Sequence, residues 1–145
     1  MNRRRLLILE KFWMIWVLLL GATGSAFGHG EGQAGMHGGV IRMPGAFHTE
    51  LKQTSQRSFD LYLLDMQWRN PSVAQSTVSA ILNVGSPEEK VLECSVRKTF
   101  FACTLPGKAD FKAGDAVTIR ASREGANGIP VSYPFPFVVG GAHGS

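Results

Sequence analysis

Apolar residues that alternate with polar ones, in short runs broken by turn residues, are the sequence feature that most constrains this fold. In residues 47–52, Phe47 and Leu51 alternate with His48 and Glu50. Successive side chains of a strand point to opposite faces of its sheet, so the first pair fits a core and the second a polar surface or a site. No stretch of ten or more residues after residue 28 has the period of an amphipathic helix. The pattern predicts an all-β fold.

Short strands of this kind recur after residue 39, and turn residues such as Gly85-Ser86-Pro87 separate them. The predicted strands cover Val40–Met43, Phe47–Lys52, Phe59–Leu64, Thr77–Val84, Val91–Arg97, Phe100–Leu105, Ala116–Arg123 and Val131–Val139. About seven strands in about a hundred residues predict an immunoglobulin-like antiparallel β-sandwich, with a small Greek-key barrel as the alternative.

The first 28 residues have the order of a secretory signal peptide. Three arginines at residues 3–5 precede an apolar run over Phe12–Leu20, and residues 26–28 fit the small-residue cleavage site that ends such a peptide. We predict cleavage before His29 and a periplasmic or secreted protein, which meets the membrane only through this segment. The alternative is an uncleaved anchor, since the apolar run stretches to roughly the 18 residues that a spanning helix needs.

Removal of the signal changes what the charge implies. The whole chain has a formal net charge of +4, but the signal holds four of its 15 basic residues and one of its 11 acidic ones. The exported chain therefore has a net charge of +1, and its basic residues form no stripe. This balance gives no electrostatic basis for nucleic-acid binding.

The composition divides the exported chain into three parts. Residues 29–39 hold five glycines and few apolar side chains, which predicts a flexible leader. The sandwich domain follows over residues 40–139, and residues 140–145 form a flexible tail.

Cys94 and Cys103 lie on the two predicted strands that flank the Lys98-Thr99 turn. An even number of cysteines in an exported protein favours a disulfide, and a hairpin brings the two positions together. The alternative is a pair of thiolate metal ligands.

All four histidines lie beyond the predicted signal, and three of them fall within the first 20 residues after it. His143 lies in the tail and is given no role, and Met66, beside Trp68, is predicted to pack in the core. Copper prefers imidazole nitrogen and thioether sulfur, while imidazole and carboxylate also serve zinc and nickel. The cluster predicts a surface site for copper, with zinc or nickel as alternatives. Its candidate ligands are His29, His37, His48, Glu50, Met36 and Met43.

Strand geometry places His48 and Glu50 on one face, about 7 Å apart at the backbone. The pair can converge on one ion, or Glu50 can hold the imidazole in one tautomer. A bend at Pro44-Gly45 would lay this strand beside residues 40–43 and return His48 towards His37. The alternative is a solvated strand face with no ligand.

His29 has a separate role if cleavage falls directly before it. Its α-amine and ring nitrogen would then chelate one Cu(II), with His37 or His48 completing the set. A copper oxygenase built on this terminus is the enzymatic alternative. The sequence has no Ser/His/Asp order, phosphate-binding glycine loop or His-Glu-x-x-His run, so we expect a protein that is not an enzyme.

Several short motifs resemble a known group of proteins. They are His37-Gly38-Gly39, Gly45, His48-Thr49-Glu50-Leu51 and Leu61-Tyr62-Leu63-Leu64-Asp65, with further likeness over residues 101–106 and 114–117. The chain resembles small exported domains found with bacterial heavy-metal resistance and efflux systems. The resemblance implies an immunoglobulin-like fold and periplasmic handling of copper or another heavy metal, with His37, His48 and Glu50 at the matching positions. The cysteine pair and His29 are not part of the pattern.

The predicted function is therefore periplasmic copper sequestration or delivery, with an efflux or metal-assembly protein as partner. The alternative is a module that binds another envelope protein without metal, through a sheet edge or an aromatic patch. Tyr133, Phe135 and Phe137 are the candidate patch, although alternating aromatic residues are also typical of a core-facing strand. Pro134 and Pro136 between them suit an edge strand.

Overall fold

The computed structural model describes residues 33–139, which form two antiparallel β-sheets and contain no helix. The signal peptide predicted over residues 1–28, His29 and the tail at 140–145 lie outside this range. Within it, no helix has the length and apolar character needed to span a membrane. The strands are β1 (Val40–Arg42), β2 (His48–Ser55), β3 (Ser58–Leu64), β4 (Thr77–Leu82), β5 (Lys90–Val91), β6 (Glu93–Val96), β7 (Phe101–Thr104), β8 (Ala116–Arg123), β9 (Ala126–Asn127) and β10 (Val131–Pro134).

The first sheet has the strand order β1-β2-β3-β7-β6, and the second has the order β10-β8-β4-β5 with β9 beside β8. The all-β prediction is confirmed. One predicted strand, Val91–Arg97, is divided, because β5 pairs with β4 and β6 pairs with β7 in the other sheet. The last strand ends at Pro134 rather than Val139. The N–H of Phe135 still donates to the Asp115 carbonyl at 2.8 Å, and Pro136 has no N–H with which to extend the ladder further.

One buried cluster takes side chains from both sheets, in the arrangement expected of the predicted sandwich. Leu51 and Leu61 enter it from the first sheet and Ile119 from the second. Tyr133 and Phe137 belong to the same cluster. The partly buried Phe135 packs against it, so the alternating aromatic residues contribute to the core.

A buried hydrogen bond joins the two sheets through this core. The hydroxyl of Tyr133 on β10 donates to the carbonyl oxygen of Thr49 on β2 at 3.0 Å. The hydroxyl of Tyr133 also lies 2.5 Å from Oγ1 of Thr49. The alternation along β2 predicts that Thr49 faces the core. This core position therefore holds a polar side chain, and its hydrogen-bond partner lies in the opposite sheet.

The outer face of the first sheet carries a second, smaller apolar cluster, and this cluster lies beside the candidate site. Ile41, Tyr62 and Leu64 are buried there, with Trp68 and Phe100 packed against them. His48 and Glu50 face the same side, because they alternate with the core residue Leu51 along β2.

Cys94 and Cys103 form the predicted disulfide, at positions directly opposite each other on β6 and β7. The two sulfur atoms are bonded to each other, so they are not thiolate ligands here. A disulfide indicates an oxidising compartment.

Candidate metal site

The segment from Gly35 to Gly39 folds over the carboxylate of Glu50. The backbone N–H groups of His37 and Gly39 donate to Oε1 of Glu50, at 2.8 and 2.9 Å. The ring of His37 places Nδ1 2.8 Å from Oε2. These contacts satisfy a carboxylate that is fully buried, which is the condition under which a protein tolerates a buried charge. Residues 35–39, predicted as part of a flexible leader, are thus hydrogen-bonded to β2.

Glycines allow this close approach. A Cβ atom at Gly35 would lie 2.2–2.6 Å from the carboxylate atoms of Glu50, and one at Gly39 would lie 2.5 Å from the carbonyl oxygen of Leu51. Gly38 has a φ of 79°, in the left-handed region that favours glycine. The glycines of the loop therefore have a structural role, because they allow its backbone to pack directly against Glu50.

The ring of His37 is held on two sides. It stacks on Tyr62 with 3.6 Å between ring centroids and 3° between planes, and Tyr62 is the cross-strand partner of Glu50. Burial raises the pKa of Tyr62, and the negative charges of Asp60 and Glu50 raise it further. A carboxylate can only accept, so the neutral ring of His37 carries its proton on Nδ1 and a lone pair on Nε2.

His48 is 3% exposed, so of the two alternatives predicted for its face, a polar surface or a site, it does not occupy an exposed polar surface. Its Nδ1 lies 3.3 Å from the carbonyl oxygen of Asp65, and Trp68 meets its ring edge-on with 5.8 Å between centroids. A carbonyl oxygen can only accept, so Nδ1 of His48 is the donor. The opposite nitrogen, Nε2, is buried and has no hydrogen-bond partner within residues 33–139.

The turn over residues 65–70 brings Asp65 and Trp68 to His48. The carboxylate of Asp65 accepts hydrogen bonds from the N–H groups of Gln67 and Arg69 and from Nδ2 of Asn70, at 2.7–2.9 Å. The Arg69 N–H contributes most to lowering the pKa of Asp65. The N–H of Trp68 donates to the carbonyl of Asp65 at 3.1 Å, so the carbonyl that meets His48 also fixes the turn.

The methionines of the described residues are all exposed. Met36 is 67% exposed, Met43 38% and Met66 44%. The prediction that Met66 packs in the core is therefore wrong, because the turn after β3 carries it out of the sheet. Methionine is among the residues most often buried, so three exposed methionines in one small domain are unusual.

The structure brings together some of the predicted ligands. His37 and Glu50 are in direct contact. Glu50 was predicted either to bind the ion or to hold the imidazole of His48 in one tautomer. It does orient an imidazole, but the imidazole is that of His37. His48 shares the face of Glu50 and is oriented by the carbonyl of Asp65 instead. His29 lies outside the described residues. Between residues 33 and 139, no three His, Cys, Asp or Glu side chains are grouped to hold a metal ion.

Sequence reasoning missed the contribution of Asp65 and Trp68 to the site. Asp65 entered only as the end of a motif, and Trp68 only as a neighbour of Met66. The available signal was Asp65 directly after a strand, with Asn70 in the turn that follows, since aspartate side chains commonly bond backbone N–H groups of a following turn.

Comparison with known proteins adds no relative: the chain matches no protein-family model, no curated protein sequence and no solved structure.

Proposed function

We propose that this chain is a periplasmic metal-binding protein of immunoglobulin-like fold that sequesters or delivers copper. The observation that carries the proposal is Nε2 of His48, which is buried and unpartnered within the described residues on a ring whose Nδ1 is already held by Asp65. A buried polar atom without a partner costs about 1–3 kcal/mol. A metal ion bound to Nε2 would remove that cost.

His37 and His48 are prepared for an ion in the same way. Histidines that bind metal almost always donate their other ring N–H to a carboxylate or a backbone carbonyl. His37 has the carboxylate of Glu50 and His48 has the carbonyl of Asp65 in this role. In both neutral rings the lone pair is therefore on Nε2, the atom that would bind the ion.

The two rings are also on the same face of the first sheet. The ring of His37 lies against Glu50 and Tyr62, which are cross-strand partners, and His48 is two residues from Glu50 on β2. This spacing corresponds to about 7 Å along the strand. The side chain of His37 is 28% exposed, which allows an ion to enter and leave. Such exchange suits delivery to an efflux or metal-assembly protein better than a closed structural site does.

The experiment is metal titration of the purified protein with Cu(I), Cu(II) and Zn(II), followed by native mass spectrometry and calorimetry. The variants are His37→Gln and His48→Gln, and His143→Gln in the predicted tail is the matched control. We expect one copper ion on the original chain, with affinity at least tenfold weaker in His48→Gln and unchanged in His143→Gln. Unchanged stoichiometry and affinity in both His37→Gln and His48→Gln would contradict the proposal.

A further inference from the structure

We infer that the ion bound at His48 is Cu(I), held by Nε2 of His48 and the thioethers of Met43 and Met66 beside the ring of Trp68. This inference rests on the metal-binding function proposed above: of the two histidines considered there it keeps His48, and it adds two thioethers as ligands.

Met43 directly follows β1, whose last residue, Arg42, pairs with Thr49 on β2. His48 directly precedes Thr49, so a continuation of the antiparallel register would bring Met43 near His48. Continued alternation would also turn Met43 to the side of Ile41, which is the outer face of the first sheet. Met43 is absent from both buried clusters, so its thioether has no packing role there.

Met66 is fixed near the same ring by the residues on either side of it. The carbonyl of Asp65 contacts Nδ1 of His48, and the ring of Trp68 contacts the imidazole. Asp65, just before Met66, and Trp68, two residues after it, therefore both contact His48. The hydrogen bond from the N–H of Trp68 to the carbonyl of Asp65 closes the turn between them. Met66 is 44% exposed and is absent from both clusters.

Trp68 has a backbone conformation that its residue type disfavours. Its φ is 62°, in the left-handed region, which costs a residue with a side chain about 1–2 kcal/mol. Strain of this kind persists only where the surrounding structure enforces it, and it is more frequent at functional sites than elsewhere. Here the conformation keeps the indole ring at His48. The two rings meet at 69° between their planes, so an ion at Nε2 would lie beside an indole whose fluorescence reports on binding.

The chemistry of the donors selects the ion. Thioether sulfur is a soft ligand that favours Cu(I), whereas zinc and nickel sites rely more on imidazole, carboxylate and thiolate. Met43 and Met66 supply two thioethers next to one imidazole. The burial of Nε2 also limits access of water to the ion. Together these features point to Cu(I) rather than to a divalent ion.

The test uses the full chain with Trp13→Phe and Trp16→Phe, which leaves Trp68 as the only tryptophan. Cu(I) is supplied under nitrogen with ascorbate and titrated against bicinchoninate as a competing chelator, while Trp68 fluorescence is followed. We expect quenching that saturates at one Cu(I) per chain. In Met43→Leu/Met66→Leu, which keeps the side-chain size, we expect Cu(I) affinity to fall at least 100-fold while Zn(II) affinity stays within threefold.

The outcomes separate this inference from the proposed function. If the double methionine variant binds Cu(I) like the original chain while His48→Gln binds it more weakly, the thioether site is overturned and the metal-binding function stands. Saturation with Cu(I) without a change in Trp68 fluorescence would also overturn the inference. If the original chain binds neither Cu(I) nor Cu(II), both fall. Circular dichroism of each variant shows whether weaker binding comes from unfolding.

Discussion

The imidazole of His37 and the carboxylate of Glu50 form one hydrogen-bonded unit, although 13 positions separate them in the chain. Glu50 also accepts the N–H groups of His37 and Gly39, so both of its oxygens are used by the loop above it. The loop depends on this carboxylate for its conformation. The carboxylate in turn depends on the loop, because burial without these donors would be unfavourable.

Replacement of Glu50 by glutamine is expected to destabilise the fold by about 1–3 kcal/mol, the range for losing hydrogen bonds to a buried charged group. The amide oxygen of Gln still accepts the two backbone N–H groups, but its NH2 group meets Nδ1 of His37 only if the ring moves its proton to Nε2, and all three hydrogen bonds lose their charge assistance. Urea unfolding measures the effect. Glu93→Gln on the exposed strand β6 is the matched control, and an equal midpoint for the two variants would contradict the expectation.

Gly35→Ala is expected to detach the loop from β2, because the new Cβ atom would lie within 2.6 Å of all three carboxyl atoms of Glu50. Overpacking of this kind costs about 1–3 kcal/mol. Gly45→Ala is the control, since its nearest neighbour would be 3.8 Å away. Hydrogen exchange of the His37 and Gly39 amides reports the detachment. Protection as strong in Gly35→Ala as in Gly45→Ala would disprove the close approach.

Removal of the disulfide by Cys94→Ala/Cys103→Ala is expected to lower the free energy of unfolding by about 2–3 kcal/mol. The loop that the bond closes is short, with a sequence separation of nine, so the entropy it removes from the unfolded chain is modest. Urea unfolding of the oxidised chain and of the double variant measures the difference. Coincident unfolding curves would show that the bond adds nothing to the β6–β7 pairing.

Acid is expected to loosen the turn over residues 65–70. Hydrogen bonds hold the pKa of Asp65 below its ordinary value of 3.8, with the Arg69 N–H the largest cause. A carboxyl group with a lower pKa in the folded chain stabilises the fold above its unfolded pKa. That stabilisation is lost as the pH falls through the folded value, so the effect appears below about pH 4.

Trp68 fluorescence against pH measures this loosening in the chain with Trp13→Phe and Trp16→Phe. Asp65→Ala should lose the acid-dependent component, whereas Asp110→Ala, at an exposed position before β8, should retain it. Identical acid profiles for the two variants would show that Asp65 does not hold the turn.

The alternation of apolar and polar residues was sufficient to predict most of the strands, and the even number of cysteines beside a predicted hairpin turn predicted the disulfide. Phe47 and Leu51 are confirmed in the core, because strand periodicity depends only on local sequence. The split of Val91–Arg97 between two sheets was not predictable in this way. Leu92, which is buried between β5 and β6, looks in sequence like any interior strand residue, and the division depends on which neighbours each half meets.

The candidate site was predicted in part. The common face of His48 and Glu50 follows from their spacing, and the structure has it. Their burial does not follow, because it depends on two segments that return over the sheet, one before β1 and one after β3. Asp65 and Trp68 come from the second segment, and a strand pattern contains no information about where a turn folds back.

The bridge between Ala34 and Val40 has a consequence for association between molecules. The outer side of a border strand is a template on which another chain can add its own strand. At Val40 the outer side of β1 is paired with Ala34 of the same chain. The residues after Ala34 continue into the loop that covers Glu50. A change that frees this loop would therefore also uncover a backbone edge, so loss of the contacts to Glu50 and a tendency to polymerise would arise together.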